Sequence, residues 1–317
     1  MKKFKHSYAK ATAPASVSNV GPGFDVFGFA IDHVGDEVEA RPRKESGVII
    51  TGISGNSEIS LDPEQNTAGK AVLSFLESLN ITQGVELYIH KNIPAGSGIG
   101  SSASSAVAAV VAVNALMENP LPKEELIDAA LAGEAIASGG SIHGDNVLPS
   151  LMGGFLIIKD VELKKFHKIE IQNYLHFVVL HPDIEIKTSY ARGILPKELP
   201  IKSIVEQVAN SSYLIAGLLL GNAELIREGV HDLIAEPYRK GLIPGYDEVK
   251  TIALANGALG FNISGSGPSL FAICDSLKSA QKLSVLMAEP FNERNIKVDR
   301  VITRINHNGA TVLDVRL

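Results

Sequence analysis

Over the first fifty or so positions of this 317-residue chain, short apolar-rich runs alternate with turn-forming clusters. Residues 4–15 read as extended, 21–23 form a Gly-Pro-Gly turn, and 37–42 and 47–53 read as further strands. Helical spacing takes over at residues 67–79, where apolar positions recur every three or four residues. A strand over 85–93 runs into a glycine- and serine-rich stretch. Beyond it, residues 103–117 are small, apolar and unbroken by Pro or Gly, which predicts one continuous helix. Another helix is predicted from Pro122 to Ala137. Two strand-like segments flank Gln172-Asn173 within residues 164–182, and helical patterns at 201–220 and 223–233 open a more regular half. A second glycine turn, 263–269, leads into a strand at 270–274. No repeat appears, and a domain boundary is placed near residue 165, giving units 1–165 and 166–317.

Composition narrows the class. With 45% apolar and 6% aromatic residues, the chain can bury two cores of Val, Ile, Leu and Ala. Its net charge of −6 supplies no basic field for nucleic acid. Met1-Lys2-Lys3-Phe4 is not followed by an apolar segment of signal length, and no stretch reads as a membrane span, so a cytoplasmic protein is expected. Cys274 is the single cysteine, which excludes disulfides and cysteine-rich metal sites, and no two of the nine His stand at metal-ligand spacing on a helix.

Candidate chemistry begins at residues 93–114, where the strand gives way to the glycines and then the helix. Gly96, Gly98 and Gly100 can adopt backbone angles closed to other residues, so successive N–H groups can point at one spot. The positive end of the following helix faces the same spot, and phosphate is the expected guest. A tight turn with a serine N-cap is the alternative. The segment lacks the Gly-Lys-Ser/Thr ending of a P-loop. A dinucleotide fingerprint would place Glu118 at the end of a second strand, but the helix runs straight into Asn119-Pro120.

Pro94, Ala95, Gly96, Ser97, Gly98, Ile99, Gly100, Ser101, Ser102 and Ala103 resemble the phosphate loop of the GHMP (galacto-, homoserine, mevalonate and phosphomevalonate) kinases, with Ile99 in place of Leu. Residues 14–32, PASVSNVGPGFDVFGFAID, look like the first motif of the homoserine-phosphorylating branch, and residues 138–155 resemble its His-x-Asp-Asn segment, with Gly144 at the variable position. Residues 264–268, Ser-Gly-Ser-Gly-Pro, match the third motif. The resemblance spans residues 10–275 or so. It implies a two-domain α+β GHMP kinase fold, with a ribosomal-protein-S5-like N-terminal domain and a ferredoxin-like C-terminal domain.

The same resemblance implies the site. ATP would lie on the loop from Pro94 to Ser104, with Mg²⁺ on Ser102 and Glu134; otherwise Ser102 caps a helix and Glu134 is a solvated acid. With no P-loop lysine, metal and helix dipole must carry more of the phosphate charge. Asn66 either caps a helix or touches adenine. For the acceptor, L-homoserine, Arg192 and Arg239 match the arginines that grip the carboxylate, Asp25 or Asp145 can meet the ammonium, and Asn19 and Asn146 can orient the hydroxyl. His143 lines the site or is structural. No dedicated general base is expected, since Asn146 stands where relatives carry an aspartate and an amide cannot act as a base. Homodimerisation is a further expectation. The rivals are a relative acting on another small alcohol, such as mevalonate or a sugar, and a non-catalytic ATP or amino-acid sensor.

Overall fold

The structure, a computed structural model, describes residues 3–55, 59–137, 144–172 and 174–317. Its first sheet is built around two long strands, Tyr8–Ser18 and Phe27–Arg43, paired antiparallel. The second is 17 residues long and serves two neighbours: Phe27–Phe29 pairs with Phe155–Asp160, and Glu37–Arg43 pairs with Gly84–His90. Val48–Ser54 runs parallel to Gly84–His90 at one edge. The terminal strand Thr311–Arg316 pairs with Tyr8–Ser18 at the other edge.

Helices Thr67–Ser78, Ser101–Ala115, Ile127–Ala137 and Gly144–Met152 pack against this sheet in one alanine- and valine-rich core. Small side chains let backbones approach closely. A Cβ at Gly133 would come within 2.3 Å of the Thr67 carbonyl oxygen. Of the 15 residues of Ser101–Ala115, all but Ser102 are buried, the mark of a helix that runs through a core rather than along a surface.

The second sheet is antiparallel, in the order Val298–Thr303, His176–Pro182, Leu270–Cys274, Gly260–Ile263. A second core joins the two sheets, with Phe29 and Phe155 from the first meeting Phe177 and Phe271 from the second; the Phe29 and Phe177 ring centroids are 4.6 Å apart. A third core lies against the second sheet, around Val249, Phe261 and Phe291.

Three expectations change. Lys165–Ile169 pairs with Phe155–Asp160, so the first sheet runs past residue 165 and also recruits the chain's last strand. The helix expected over 223–233 ends at Gly229, where a Cβ would strike the Leu214 nitrogen at 2.3 Å. Ile201–Leu220 has the length and apolar composition of a membrane span, yet Gln207, Leu214, Gly217 and Leu218 on one side are buried against the protein.

Candidate active site

A cavity of about 380 Å³ opens where the glycine loop, the substrate-motif turn and the second glycine turn converge. Gly96, Gly98 and Gly100 have φ of 67°, 78° and 68°, the left-handed conformation their spacing predicts. Gly98 is also a point of close approach, since a Cβ there would lie 2.6 Å from the Gly267 oxygen. The two glycine turns are stitched together here: Ser264 Oγ donates to the Gly98 oxygen at 2.7 Å, and the Ser269 amide donates to the Ser97 oxygen at 3.2 Å.

The cavity wall includes Ala95, Gly96, Ser97, Gly98, Gly100, Ser101 and Ser102, with Glu134 facing them from helix Ile127–Ala137. Glu134 is 6% exposed. Pro94, Ile99, Ala103 and Ser104, grouped with them from sequence, are not on that wall. Pro94 is exposed, whereas Ile99 and Ala103 belong to the cores. Ser104 Oγ donates to the Ala13 oxygen and accepts from the Asp36 amide, fixing the helix to the sheet. Asn66 lines the wall, but its amide is committed: Oδ1 caps Thr67–Ser78 through Ala68 and Gly69, and Nδ2 donates to the Ser60 oxygen.

A cation missed in the sequence stands under the loop. Lys91 is buried on the cavity floor, where its ammonium is paired with Asp36 and donates to Ser101 Oγ at 2.7 Å, the Ser101 carbonyl at 2.9 Å and Ser105 Oγ at 2.9 Å. Burial pulls its pKa down, and the carboxylates of Asp36 and Glu134 push it back up. Asp36 also accepts from the amides of Asn92 and Ile93 and from Ser105 Oγ. The site therefore has a lysine after all, reached through the fold instead of the loop. Its signal was a lysine directly after strand Gly84–His90, two residues before Ile93-Pro94.

At the opposite end, the substrate-motif turn holds Asn19, Val20 and Asp25 at φ of 68°, 35° and 57°, without glycine's freedom. Asn19 is a strut: Nδ2 donates to the Gly265 oxygen at 2.9 Å and Oδ1 accepts from the Asp25 amide at 3.2 Å. Each end of the amide keeps one further hydrogen-bonding position, and Asn19 lines the cavity wall. Asp25 receives Arg192 at 2.7 and 3.0 Å. Arg239 is 3% exposed and donates to the carbonyls of Ala191 and Gly265; burial and the neighbouring Arg192 charge lower its pKa to about 10. Asp145 is buried, and its Oδ1 has no hydrogen-bond partner among the described residues. Desolvation, then the Asp25 charge, raises its pKa to about 7.

Asn146 accepts from Ser16 Oγ at 3.0 Å, and both groups sit against Gly100, where a Cβ would come within 2.3 Å of Ser16 Oγ and 3.0 Å of Asn146 Oδ1. The last glycine of the phosphate loop thus touches the amide expected at the acceptor hydroxyl. His143 lies outside the described residues.

Two family models match the chain: the GHMP kinases N-terminal domain over residues 66–154 and the GHMP kinases C-terminal domain over residues 214–292. The homoserine kinase of Chlorobium phaeobacteroides (strain DSM 266) is 42% identical over 314 residues, 95% of this chain and 98% of that protein. That of Xylella fastidiosa (strain 9a5c) is 40% identical over 306 residues, 96% of this chain and 94% of that protein. Among solved structures, homoserine kinase from Cytophaga hutchinsonii superposes with a TM-score of 0.94 at 42% identity, over 98% of this chain and 99% of that one. With its glycine loop, two arginines and paired aspartates gathered around one cavity, the chain belongs to the GHMP kinase family, on the branch of the homoserine kinases.

Proposed function

We propose that this cavity transfers the γ-phosphoryl group of ATP to the side-chain hydroxyl of L-homoserine, giving O-phospho-L-homoserine for threonine biosynthesis in the cytoplasm. The observation that carries the reading is the contact of Gly100 with the Ser16–Asn146 pair, which brings the phosphate cradle and the amino-acid pocket together at one point. Phosphoryl transfer asks for alignment and charge neutralisation more than for covalent chemistry. The loop amides and the amino end of helix Ser101–Ala115 take the phosphates. Lys91, its charge balanced by Asp36, holds Ser101 and Ser105 in the first turns of that helix.

Glu134 and Ser102 suit Mg²⁺, which typically takes one or two protein oxygens and completes its shell with phosphates and water. No cluster of three or more His, Cys, Asp or Glu that could hold a metal occurs among the described residues. When bound, the metal neutralises charge developing between the β- and γ-phosphates.

The amino acid's carboxylate is assigned to Arg192 and Arg239, its ammonium to Asp25 and Asp145, and its hydroxyl to Asn19 and Asn146. The ion pair between Arg192 and Asp25 matches a zwitterion, whose two charges sit on one carbon. No basic side chain is needed if the hydroxyl proton leaves late, to the phosphate itself. A second role for Asp145 is favoured by its unpartnered Oδ1: a proton acceptor for that hydroxyl. Asp145→Asn separates the two. A raised homoserine KM with kcat retained supports the ammonium role, and abolished kcat at unchanged KM supports the base. The activity itself is tested by a coupled assay with magnesium ATP against homoserine, mevalonate and galactose. Turnover confined to homoserine is expected; turnover of mevalonate or galactose instead, or of none, overturns the reading.

A further inference from the structure

Among the described cations on the cavity wall, Lys91 is paired with Asp36, Arg192 with Asp25, and Arg239 is anchored on the carbonyls of Ala191 and Gly265. Lys187 differs from all three. It lines the same wall, its side chain is exposed, and its ammonium has no hydrogen bond or ion pair among the described residues. An exposed lysine is ordinarily a solvated charge on an outer face. This one stands on a concave wall, and it leaves Glu185, two residues away on that wall, unpaired.

The backbone beneath Lys187 is held from several sides. Lys187 is the extended residue, with φ of −67° and ψ of 125°, that precedes helix Thr188–Gly193, and its carbonyl accepts from the Ala191 amide. Ile186 before it is buried in the third core, its Cδ1 3.5 Å from where a Cβ on Gly267 would lie. Thr188 after it faces Ser266, with the two hydroxyl oxygens 3.4 Å apart. Both neighbours thus tie Lys187 to the second glycine turn, which is itself bonded to Gly98 of the phosphate loop. Glu185 reaches that loop directly, its Cγ 3.3 Å from where a Cβ on Gly96 would lie. Further along the same helix, Arg192 holds Asp25 at the amino-acid end. The segment therefore runs from the phosphate cradle to the zwitterion pocket, and Lys187 stands between them.

Charge at that place is unbalanced without it. Lys91 is neutralised by Asp36, and Glu134 and Glu185 add negative charge to the wall that receives the phosphates. A phosphoryl group in transit spreads its own charge over three equatorial oxygens. An ammonium on a flexible four-carbon stem suits such a group, because it acts as a point charge and can follow the oxygens as they move.

We propose that Lys187 is a catalytic residue whose ammonium meets the oxygens of the γ-phosphoryl group during transfer. This rests on the phosphotransfer reading of the cavity. The bond from the γ-phosphorus to the departing ADP oxygen breaks as the bond to the homoserine hydroxyl oxygen forms. The hydroxyl proton goes to the phosphate, and Lys187 keeps its own protons throughout.

The test compares two nucleotides that differ by the group Lys187 meets. Affinities of the wild type and of Lys187→Met for ADP and for the non-hydrolysable imidotriphosphate analogue of ATP are measured by titration calorimetry with magnesium. The variant is expected to lose about tenfold in affinity for the analogue and to bind ADP nearly as the wild type does. With homoserine as acceptor, its kcat should fall by roughly 10²-fold at a nearly unchanged homoserine KM. Lys187→Cys alkylated with 2-bromoethylamine regains an ammonium at almost the same reach, and both losses should reverse; the native Cys274 is buried and does not interfere. Equal losses for ADP and the analogue, no loss for either, or an alkylated variant as poor as the untreated one overturns the proposal. A Glu185→Gln variant that shifts the preference between the two nucleotides as far as Lys187→Met also overturns it, since the effect would then be the field of the whole wall. Failure of the underlying reading is separate: a wild type that turns over no homoserine overturns the acceptor assignment, while the nucleotide comparison still decides the role of Lys187.

Discussion

At the end of the cavity proposed for the nucleotide, the groups facing inward come largely from one loop, residues 95–98 and 100–102, and its left-handed positions are all glycines. At the amino-acid end they are side chains of residues 25, 145, 146, 192 and 239, and the left-handed positions at Asn19, Val20 and Asp25 are filled by residues that pay for them with strain of about 1 to 2 kcal/mol each. A cradle of amides reads any phosphate by shape, and a local segment can encode it. A pocket for a small zwitterion needs charges of both signs held a few ångströms apart, and no single stretch of chain can present them. The fold supplies that by bracing the turn from the second domain, through Gly265, Gln207 and Ser211.

The contrast is broken most severely at the point where both ends meet the transferred group. Glu134→Gln is expected to lower kcat by roughly 10²- to 10³-fold, the usual loss when a charge-stabilising group is removed from a site, with the far-ultraviolet spectrum unchanged. Near-normal turnover at ordinary magnesium would separate Glu134 from the metal. Next, Arg239→Lys keeps the charge but loses the planar fork that bonds Ala191 and Gly265. Homoserine KM should rise by about 10- to 150-fold, corresponding to roughly 1.5 to 3 kcal/mol, and ATP KM should change little.

Gly98→Ala is the mirror experiment. Its Cβ meets the Gly267 oxygen in a left-handed backbone, so ATP KM should rise by about 5- to 30-fold for a strain of about 1 to 2 kcal/mol, with homoserine KM nearly unmoved. Equal changes in both constants would show that the two ends are not separable.

The smallest effect is a pH dependence. Below pH 7 or so Asp145 is mostly protonated and cannot attract an ammonium; above it the carboxylate forms. Homoserine KM measured at pH 6 and pH 8 should therefore fall by about tenfold as pH rises, and Asp145→Asn should abolish the change. Stability runs the other way. Because the folded pKa lies above the unfolded value of 3.8, the folded state holds this proton more tightly, and the stability it contributes is complete below pH 3.8 and lost as pH rises through 7. Asp145→Asn should raise Tm over the wild type most at pH 8 and least near pH 4.

What could be read in advance follows the same division. The loop glycines, helix Ile201–Leu220 and the start of Thr67–Ser78 were legible because their signals are local: φ demands, apolar spacing, an Asn cap. Phe27–Arg43 was seen only in part, over 37–42, because its first five residues are buried on both faces and carry no alternation. Lys91 and Asp36 lie 55 residues apart and meet only through the pairing of two strands, so neither announces the other. That Asn19 also braces the turn by donating to Gly265, 246 residues away, is a tertiary fact that its place beside a Gly-Pro-Gly turn does not announce.

The strand Thr311–Arg316 also bears on how the protein is made. Five of its six residues are exposed, so it adds little to any core and serves chiefly to cover the edge of Tyr8–Ser18. Ser7 donates to a carbonyl 310 residues further along the chain. On a ribosome adding about 5 to 20 residues per second, that edge waits roughly 15 to 60 s for its partner, much longer than many small domains take to fold. Throughout that interval a bare strand is open to pairing with whatever is nearby, including its counterpart on the next ribosome. Nascent chains halted near residue 300 should therefore bind holdase chaperones, and chains carried past residue 316 should let them go.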